Sequence, residues 1–447
     1  MSQAQKLYNT AKKLIPGGTQ LLSKRPEMFA PAQWPTYYKK SKGCEVTDMD
    51  GNIYIDMCYM GIGSCTLGYA DEDVNKAAKQ AIDNGSMSTL NPPQEVELAE
   101  LLLRLHPWAD QVRYTRSGGE AMSVAVRIAR AKTNRDVVLF CGYHGWHDWY
   151  LSSNISEKDE LADGHLLPGL NPLGVPKGLK GTAFPFPYND TAAFLEQIKK
   201  NKNKVAAVVI EVIRNMYPDH EFFKTIRDVC DKEGITLIFD EITSGFRLNG
   251  AGAHIKFGQE DSCCNYCFQP DIAVFAKAMT NGYPMSAIIG RKEFLSIAQD
   301  TFISSLYWTD SIGPAATIAT IQKIIKEDVP SYTETLGIKT QTIWQNAAKE
   351  SDLEIKITGP VPQLSIFAFN YTNALEIKTL FIQLMLQKGF LTTTAFYPSF
   401  AHSTKHLDLY EHALREVFSV LKESVISNTV RDKLNGPVCH DGFRRLT

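Results

Sequence analysis

The sequence predicts an α/β fold, a central and mostly parallel β-sheet covered by helices, followed by a smaller α+β unit. Three observations carry that expectation. Short, almost wholly apolar runs recur through the middle of the chain, as in strands buried on both faces. Between them lie segments with apolar residues at three- and four-residue spacing, the period of amphipathic helices, and strands alternating with helices imply parallel pairing through right-handed crossovers. After about residue 327 a different pattern of helices and strands begins.

Taken in order, residues 45–56 (EVTDMDGNIYID) alternate around Asp50-Gly51, a strong hairpin signal. Helices are expected at 74–84 and 94–105, a strand at 111–115, a helix at 120–132 and a strand at 136–141. Residues 152–190 are rich in Gly, Pro, Asn and Leu with weak periodicity, and so long a connection is usually a lid or a disordered linker. Strands at 206–211 and 236–240 flank a helix at 222–233, strands follow at 272–276 and 287–290, and a helix at 312–326 closes the layer. The smaller unit reads as a helix near 332–350, strands near 353–359 and 363–369, and helices at 374–388 and 407–424. No internal repeat interrupts this order.

Composition bounds the function. A chain of 447 residues is too long for one compact core, and two domains are expected. Lys plus Arg is 47 and Asp plus Glu 49, a formal net charge of −2 without blocks of like charge, so nothing favours a nucleic-acid partner. A hydrophobic fraction of 44 % with 21 % charged residues argues against disorder. The opening MSQAQKLYNTAKK has no apolar signal region, and no stretch has the roughly 18 uncharged apolar residues of a spanning helix. A soluble, cytoplasmic protein is expected, with no membrane partner. Nine scattered cysteines read as buried thiols in a reducing compartment.

Three positions carry chemistry. Asp240 ends the apolar run ITLIFD, with Glu241 next, and ligands of open α/β sheets bind beyond the carboxyl ends of strands; a helix cap is the ordinary alternative. Lys277 follows the run DIAVFA and precedes Asn281-Gly282-Tyr283-Pro284. A lysine at a pocket mouth can be desolvated into an amine nucleophile, although most lysines are solvated surface charges. Ser117-Gly118-Gly119 joins a strand to a helix, and backbone amides at a helix N-terminus suit a phosphate. Together these supply a pyridinium partner, a Schiff-base amine and a phosphate cradle, the requirements of pyridoxal phosphate. Tyr143, in Gly142-Tyr143-His144-Gly145, offers an aromatic face for a flat ring.

The segments Ile15-Pro16-Gly17-Gly18, SGGEAM at Ser117, GYHGWHD at Gly142, LIFDEITSGFR at Leu237, PDIAVFAKAMTNGYPMSA at Pro270 and Ala401-His402-Ser403, in order and spacing, resemble the class III aminotransferases of the fold-type I pyridoxal phosphate enzymes. Within these the chain is most similar to the glutamate-1-semialdehyde aminomutases. The resemblance implies a fold-type I enzyme with a large cofactor domain at 60–325 and a small domain assembled from 1–59 and 326–447. It implies pyridoxal 5′-phosphate as cofactor, with Lys277 as the Schiff-base lysine, Asp240 on the pyridine nitrogen, Ser117, Gly118 and Gly119 on the phosphate, Tyr143 on the ring and Glu211 nearby. A homodimer is implied too, and small-molecule partners: an amino donor and a carbonyl acceptor, sugar-derived aldehydes among the candidates. The runner-up is the mutase reaction; a catalytically silent pyridoxal phosphate binder is a third reading, against which both Asp240 and Lys277 speak.

The family pattern breaks in three places. Leu306 stands where relatives carry a phosphate-binding Thr from the second subunit, leaving Ser305 or Thr309 as substitutes, and SGGEA replaces the commoner SGTEA at Gly119. The stretch after Gly18 is longer than an aminomutase needs and Ile62 takes the place of an aromatic, so Arg25, a candidate anion-binding residue, is shifted from the aminomutase pattern and a different substrate is favoured; Trp34, His144 and His402 are the other candidate pocket residues. Cys263, Cys264 and Cys267 sit in an insert with only His254 near. A structural zinc site needs four ligands, so no metal is expected. The tail at 436–445 reads as a docking arm.

Overall fold

A computed structural model describes residues 2–155, 172–213, 216–260 and 267–442. The chain divides into two compact units, Met1–Asp71 with Ser331–Thr447, and Glu72–Pro330.

The second unit holds a seven-stranded sheet. Its order across the sheet is Gln111–Thr115, Ser286–Gly290, Ile272–Phe275, Thr236–Asp240, Val205–Glu211, Val137–Cys141 and Ala183–Pro185. The five strands from Ile272–Phe275 to Ala183–Pro185 run parallel to one another. Ser286–Gly290 is antiparallel to both strands beside it, and the sheet is mostly parallel, as expected. No helix separates this strand from the preceding one, only the short 3₁₀ turn Lys277–Thr280, and without a crossover the chain can only reverse. The strands Val137–Cys141, Val205–Glu211 and Thr236–Asp240 are buried at every residue, as continuous apolar runs require. Gly118–Thr133 packs Ala121, Met122, Ala125 and Ile128 against the core that contains Val138, Val209, Ile238 and Val274.

The helices Gln94–Leu105 and Ile312–Lys326 fall at their expected bounds. Thr191–Lys200, capped by Asp190, and the strand Ala183–Pro185 lie in and just after the stretch expected to be a lid or linker. Residues 156–171, part of that stretch, lie outside the described residues.

The other unit carries two small sheets. The hairpin at Asp50-Gly51 pairs Glu45–Asp48 with Ile53–Met57, and Tyr38–Lys42 and Phe390–Thr392 extend it on either side. Ile355–Ile357, Ser365–Phe369 and Ala395–Phe396 form the second. Ala374–Gln387 and Thr404–Ile426 pack on a core centred on Trp344, Phe367, Phe381 and Phe418, where Trp344 Nε1 donates to Tyr410 Oη at 3.0 Å. The N-terminal helix Gln3–Leu14 begins with a Ser2/Gln5 capping box.

Candidate active site

The parallel strands end along one edge of the seven-stranded sheet, and the chemistry-bearing residues gather there. Glu211 and Asp240, each the last residue of its strand, are register partners, and Asp240 pairs in turn with Val274, three residues before Lys277. Thr115 and Ser286 are partners at the same edge, their hydroxyls 2.5 Å apart, with Ser286 Oγ also donating to Ser117 O at 3.1 Å.

Asp240 is buried, and both of its oxygens are engaged. Oδ2 lies 2.7 Å from His144 Nδ1, and Oδ1 accepts from Ile242 N at 3.0 Å. The side chain of His144 is closed to solvent, with Phe140, Trp149 and Tyr150 around its ring. The imidazole sits in aromatic packing with its Nδ1 against the Asp240 carboxylate.

Lys277 has φ of +50°, a left-handed conformation that costs a residue with a Cβ about 1 to 2 kcal/mol. It follows a fully buried strand and starts the turn Lys277–Thr280. That geometry turns the side chain to Thr243, whose Oγ1 lies 3.0 Å from Nζ. Thr243 went unassigned in the sequence, although it stands in the same DEITSGFR segment as Asp240.

The loop bearing Thr243 is pinned by Glu241. This wholly buried carboxylate accepts from Ser244 Oγ at 2.6 Å, Ala253 N at 3.0 Å, and His254 N and Nδ1 at 2.8 and 2.7 Å. Trp108 Nε1 donates to His254 Nε2 at 2.9 Å, which leaves Nδ1 as the donor to Glu241. Burial pushes the Glu241 carboxyl up, but His254 and the other donors outweigh it and hold the group below the usual carboxylate range. Stacked beside His254, His106 is pushed down to about 3 by burial.

Ser117 caps the helix Gly118–Thr133 in a reciprocal box with Glu120. Its hydroxyl donates to Glu120 Oε2 at 3.2 Å, an oxygen that also accepts from the amides of Arg116 and Ser117. No acceptor among the described residues engages the Gly118 and Gly119 amides, which is the state in which a helix terminus receives an anion. The Arg116 guanidinium is committed to Asp310 and to Met285 Sδ, a pairing not foreseen in the sequence. Thr309 Oγ1 donates to Leu306 O at 2.8 Å, and neither Ser305 nor Thr309 is hydrogen-bonded to the Ser117 turn.

Gly142 is fixed by its surroundings. At φ +120°, a Cβ there would lie 2.5 Å from Glu211 Oε2, and that same oxygen accepts from Tyr143 N at 3.0 Å. Glu211 therefore holds the backbone of Tyr143, a residue that stays 37 % exposed.

The remaining candidates lie in the other unit. His402 is buried with both nitrogens used: Nδ1 accepts from Ser399 N at 3.1 Å, and Nε2 donates to the Asp56 carbonyl at 2.8 Å. It is a buried histidine with both ring nitrogens hydrogen-bonded within its own unit. Trp34 stacks on Phe29, centroids 4.1 Å apart, at the margin of the apolar core. Arg25 lies over Gly17, where a Cβ would come within 2.2 Å of Nη2. Of the cysteine insert, Cys263 and Cys264 lie outside the described residues, while Cys267 is buried.

A carboxylate, an amine, an aromatic face and unpaired helix-terminal amides along one sheet edge match the chemistry of pyridoxal phosphate group by group. Comparison with known proteins points the same way. The profile described as "Aminotransferase class-III" matches residues 29–423. A 3-aminobutyryl-CoA aminotransferase of Cloacimonas acidaminovorans is 28 % identical over 437 residues, covering 95 % of this chain and 98 % of the relative. A glutamate-1-semialdehyde 2,1-aminomutase of Methanocaldococcus jannaschii is 29 % identical over 446 residues, covering 94 % and 99 %. Among solved structures, the FumI protein of Sphingopyxis sp. MTA144 superimposes with a TM-score of 0.82 at 24 % identity, covering 95 % of this chain and 98 % of that one. An omega-transaminase from Sphaerobacter thermophilus gives 0.80 at 22 %, covering 94 % and 98 %; both likenesses speak to the fold. With the profile spanning most of the sequence, the chain belongs to the class-III aminotransferases, enzymes that depend on pyridoxal 5′-phosphate.

Proposed function

We propose that this enzyme moves an amino group from an amino-acid donor to a small aldehyde or ketone, with Lys277 as the residue that binds the cofactor and moves the proton. The observation that carries this reading is the strained backbone at Lys277 delivering Nζ to within 3.0 Å of Thr243, in the loop that begins at Asp240. When bound, pyridoxal phosphate supplies an electron sink for the pair released at the amino carbon. Asp240, oriented by His144 and the Ile242 amide, holds a proton on the pyridine nitrogen. The Gly118 and Gly119 amides receive the phosphate, and Tyr143 covers the ring. Lys277 Nζ, oriented by Thr243, takes the proton from the amino carbon and returns it to the adjacent position.

A second reading has its own support: relatives at 29 and 30 % identity, from Methanocaldococcus jannaschii and Thermodesulfovibrio yellowstonii, are named glutamate-1-semialdehyde 2,1-aminomutases. In that reaction the amino group returns to a neighbouring carbon of the same molecule. Loading the enzyme with the aminated cofactor and offering glutamate semialdehyde against a panel of keto acids and sugar aldehydes separates the two. Transfer to panel members supports the transaminase; efficient conversion of the semialdehyde to 5-aminolevulinate decides for the mutase.

The same reading carries a homodimer. Phe302, Leu306 and Tyr307, close together in sequence, are 87, 66 and 70 % exposed, apolar side chains of the kind that subunit contacts cover, and sedimentation at micromolar concentration tests the dimer. No helix among the described residues is long and apolar enough to cross a membrane. The seven described cysteines are free and buried, which favours the reducing cytoplasm.

A further inference from the structure

The turn that receives the phosphate has too few side-chain donors of its own. Ser117 gives its hydroxyl proton to Glu120 and Arg116 is committed to Asp310, while the Glu120 carboxylate adds negative charge beside the first turn. Gly119 contributes no side chain, and the reason is steric. A Cβ on Gly119 would sit 2.9 Å from Cδ2 and 3.0 Å from Nε2 of His147, with Trp146 Nε1 at 3.9 Å. The imidazole thus fills the volume into which a side chain at 119 would project, with its Nε2 edge against the helix terminus. Gly145 makes this approach possible: at φ +101° its own Cβ position is 3.5 Å from Gly119 Cα, so the two backbones run in contact. Neither nitrogen of His147 has a hydrogen-bond partner among the described residues, although the indole of Trp146 packs on the ring with centroids 4.5 Å apart.

We propose that His147 is a phosphate-binding residue of the cofactor site, donating from Nε2 in the space that Gly119 leaves open. The proposal rests on the pyridoxal phosphate reading above and deepens it: the 117–119 turn supplies amides, and the 142–148 loop supplies the side-chain donor. Loss of one hydrogen bond to a charged group weakens binding by about tenfold or more.

The test is a cofactor titration of the apoenzyme, read by absorbance and intrinsic fluorescence, with pyridoxal phosphate and with pyridoxal, which lacks the phosphate. His147→Ala is expected to weaken pyridoxal phosphate by about tenfold and leave pyridoxal unchanged, while His147→Gln, which keeps a donor, stays within about threefold of wild type. Gly119→Thr, whose Cβ collides with the imidazole, should also weaken the phosphorylated cofactor, and combining it with His147→Ala should restore affinity. Equal loss for both cofactors in His147→Ala, or no loss for either, overturns the proposal, as does a Gly119→Thr defect that His147→Ala deepens. Failure of the wild-type apoenzyme to take up pyridoxal phosphate overturns the reading beneath it as well, so the two failures are told apart.

Discussion

His144 Nδ1 lies 2.7 Å from Asp240 Oδ2, with the histidine side chain closed to solvent. The carboxylate at the end of the central strand is thus oriented by an aromatic-packed imidazole, and on the proposed function His144 would act as a positioning residue for the group assigned to the cofactor nitrogen. Replacement by Ala leaves a buried acceptor without its partner, which costs about 1.5 to 3 kcal/mol for a charged group. We expect kcat/KM to fall by about tenfold to a hundredfold and the cofactor absorption band to shift with pH, because the ring nitrogen loses a fixed counter-charge. An unchanged spectrum and unchanged kinetics would contradict the role.

Lys277→Ala should abolish the absorption band of the lysine-bound cofactor; survival of that band would sink the lysine assignment. Thr243→Val removes the hydroxyl 3.0 Å from Nζ while keeping side-chain volume. The band should remain and kcat should drop by about tenfold, with KM little altered. A loss confined to KM would mean that Thr243 acts in binding.

Gly142→Ala tests the fixed loop. The new methyl would enter at 2.5 Å from Glu211 Oε2 on a backbone at φ +120°, two penalties that together cost about 2 to 4 kcal/mol. The denaturant midpoint should fall accordingly, and Glu211→Ala should relieve part of the loss by opening the space. A variant as stable as wild type would show that the loop moves aside freely.

The stability of the unit containing both termini should depend on two buried groups with opposite signs. Burial pushes the His402 imidazole down to about 4 from its ordinary 6.5. The unfolded chain then takes up a proton near pH 6.5 that the folded chain refuses, so this contribution is present above 6.5 and is lost as pH falls toward 4. Burial pushes the Asp56 carboxyl up to about 6 from 3.8, only partly reversed by Tyr69 and the Cys58 amide. Its contribution is present below 3.8 and is lost as pH rises through 6. Each amounts to about 3 kcal/mol, so the two largely cancel in the wild type. Urea unfolding between about pH 7.5 and pH 4.5 should give a difference in favour of Asp56→Asn that grows as pH rises, while His402→Gln should gain stability relative to wild type as pH falls. Parallel profiles for all three proteins would exclude the linkage.

Much of the architecture was legible because its elements are locally determined. The run ITLIFD can only be a buried strand, and Gln94–Leu105 and Ile312–Lys326 carry their helical period within themselves. Thr191–Lys200 was hidden by the Gly- and Pro-rich stretch before it, and Tyr38–Lys42, with mostly exposed residues, has no apolar face to reveal it. Asp240 and Lys277 were legible as chemistry because each is a charged residue at the end of an apolar run. His144, His147 and His402 were not separable in that way, since sequence cannot tell a histidine facing a ligand from one sealed in packing.

By itself the sequence determined most of the central strands, most of the helices and the cofactor class, and it singled out Asp240 and Lys277 as candidates, since these follow from short-range patterns of apolarity, charge and glycine. Only the tertiary structure decided the antiparallel course of Ser286–Gly290, the partnership of His144 with Asp240, the reach of Lys277 to Thr243 and the filling of the Gly119 space by His147. Each depends on atoms brought together from distant parts of the chain, where packing rather than local propensity sets which donor meets which acceptor.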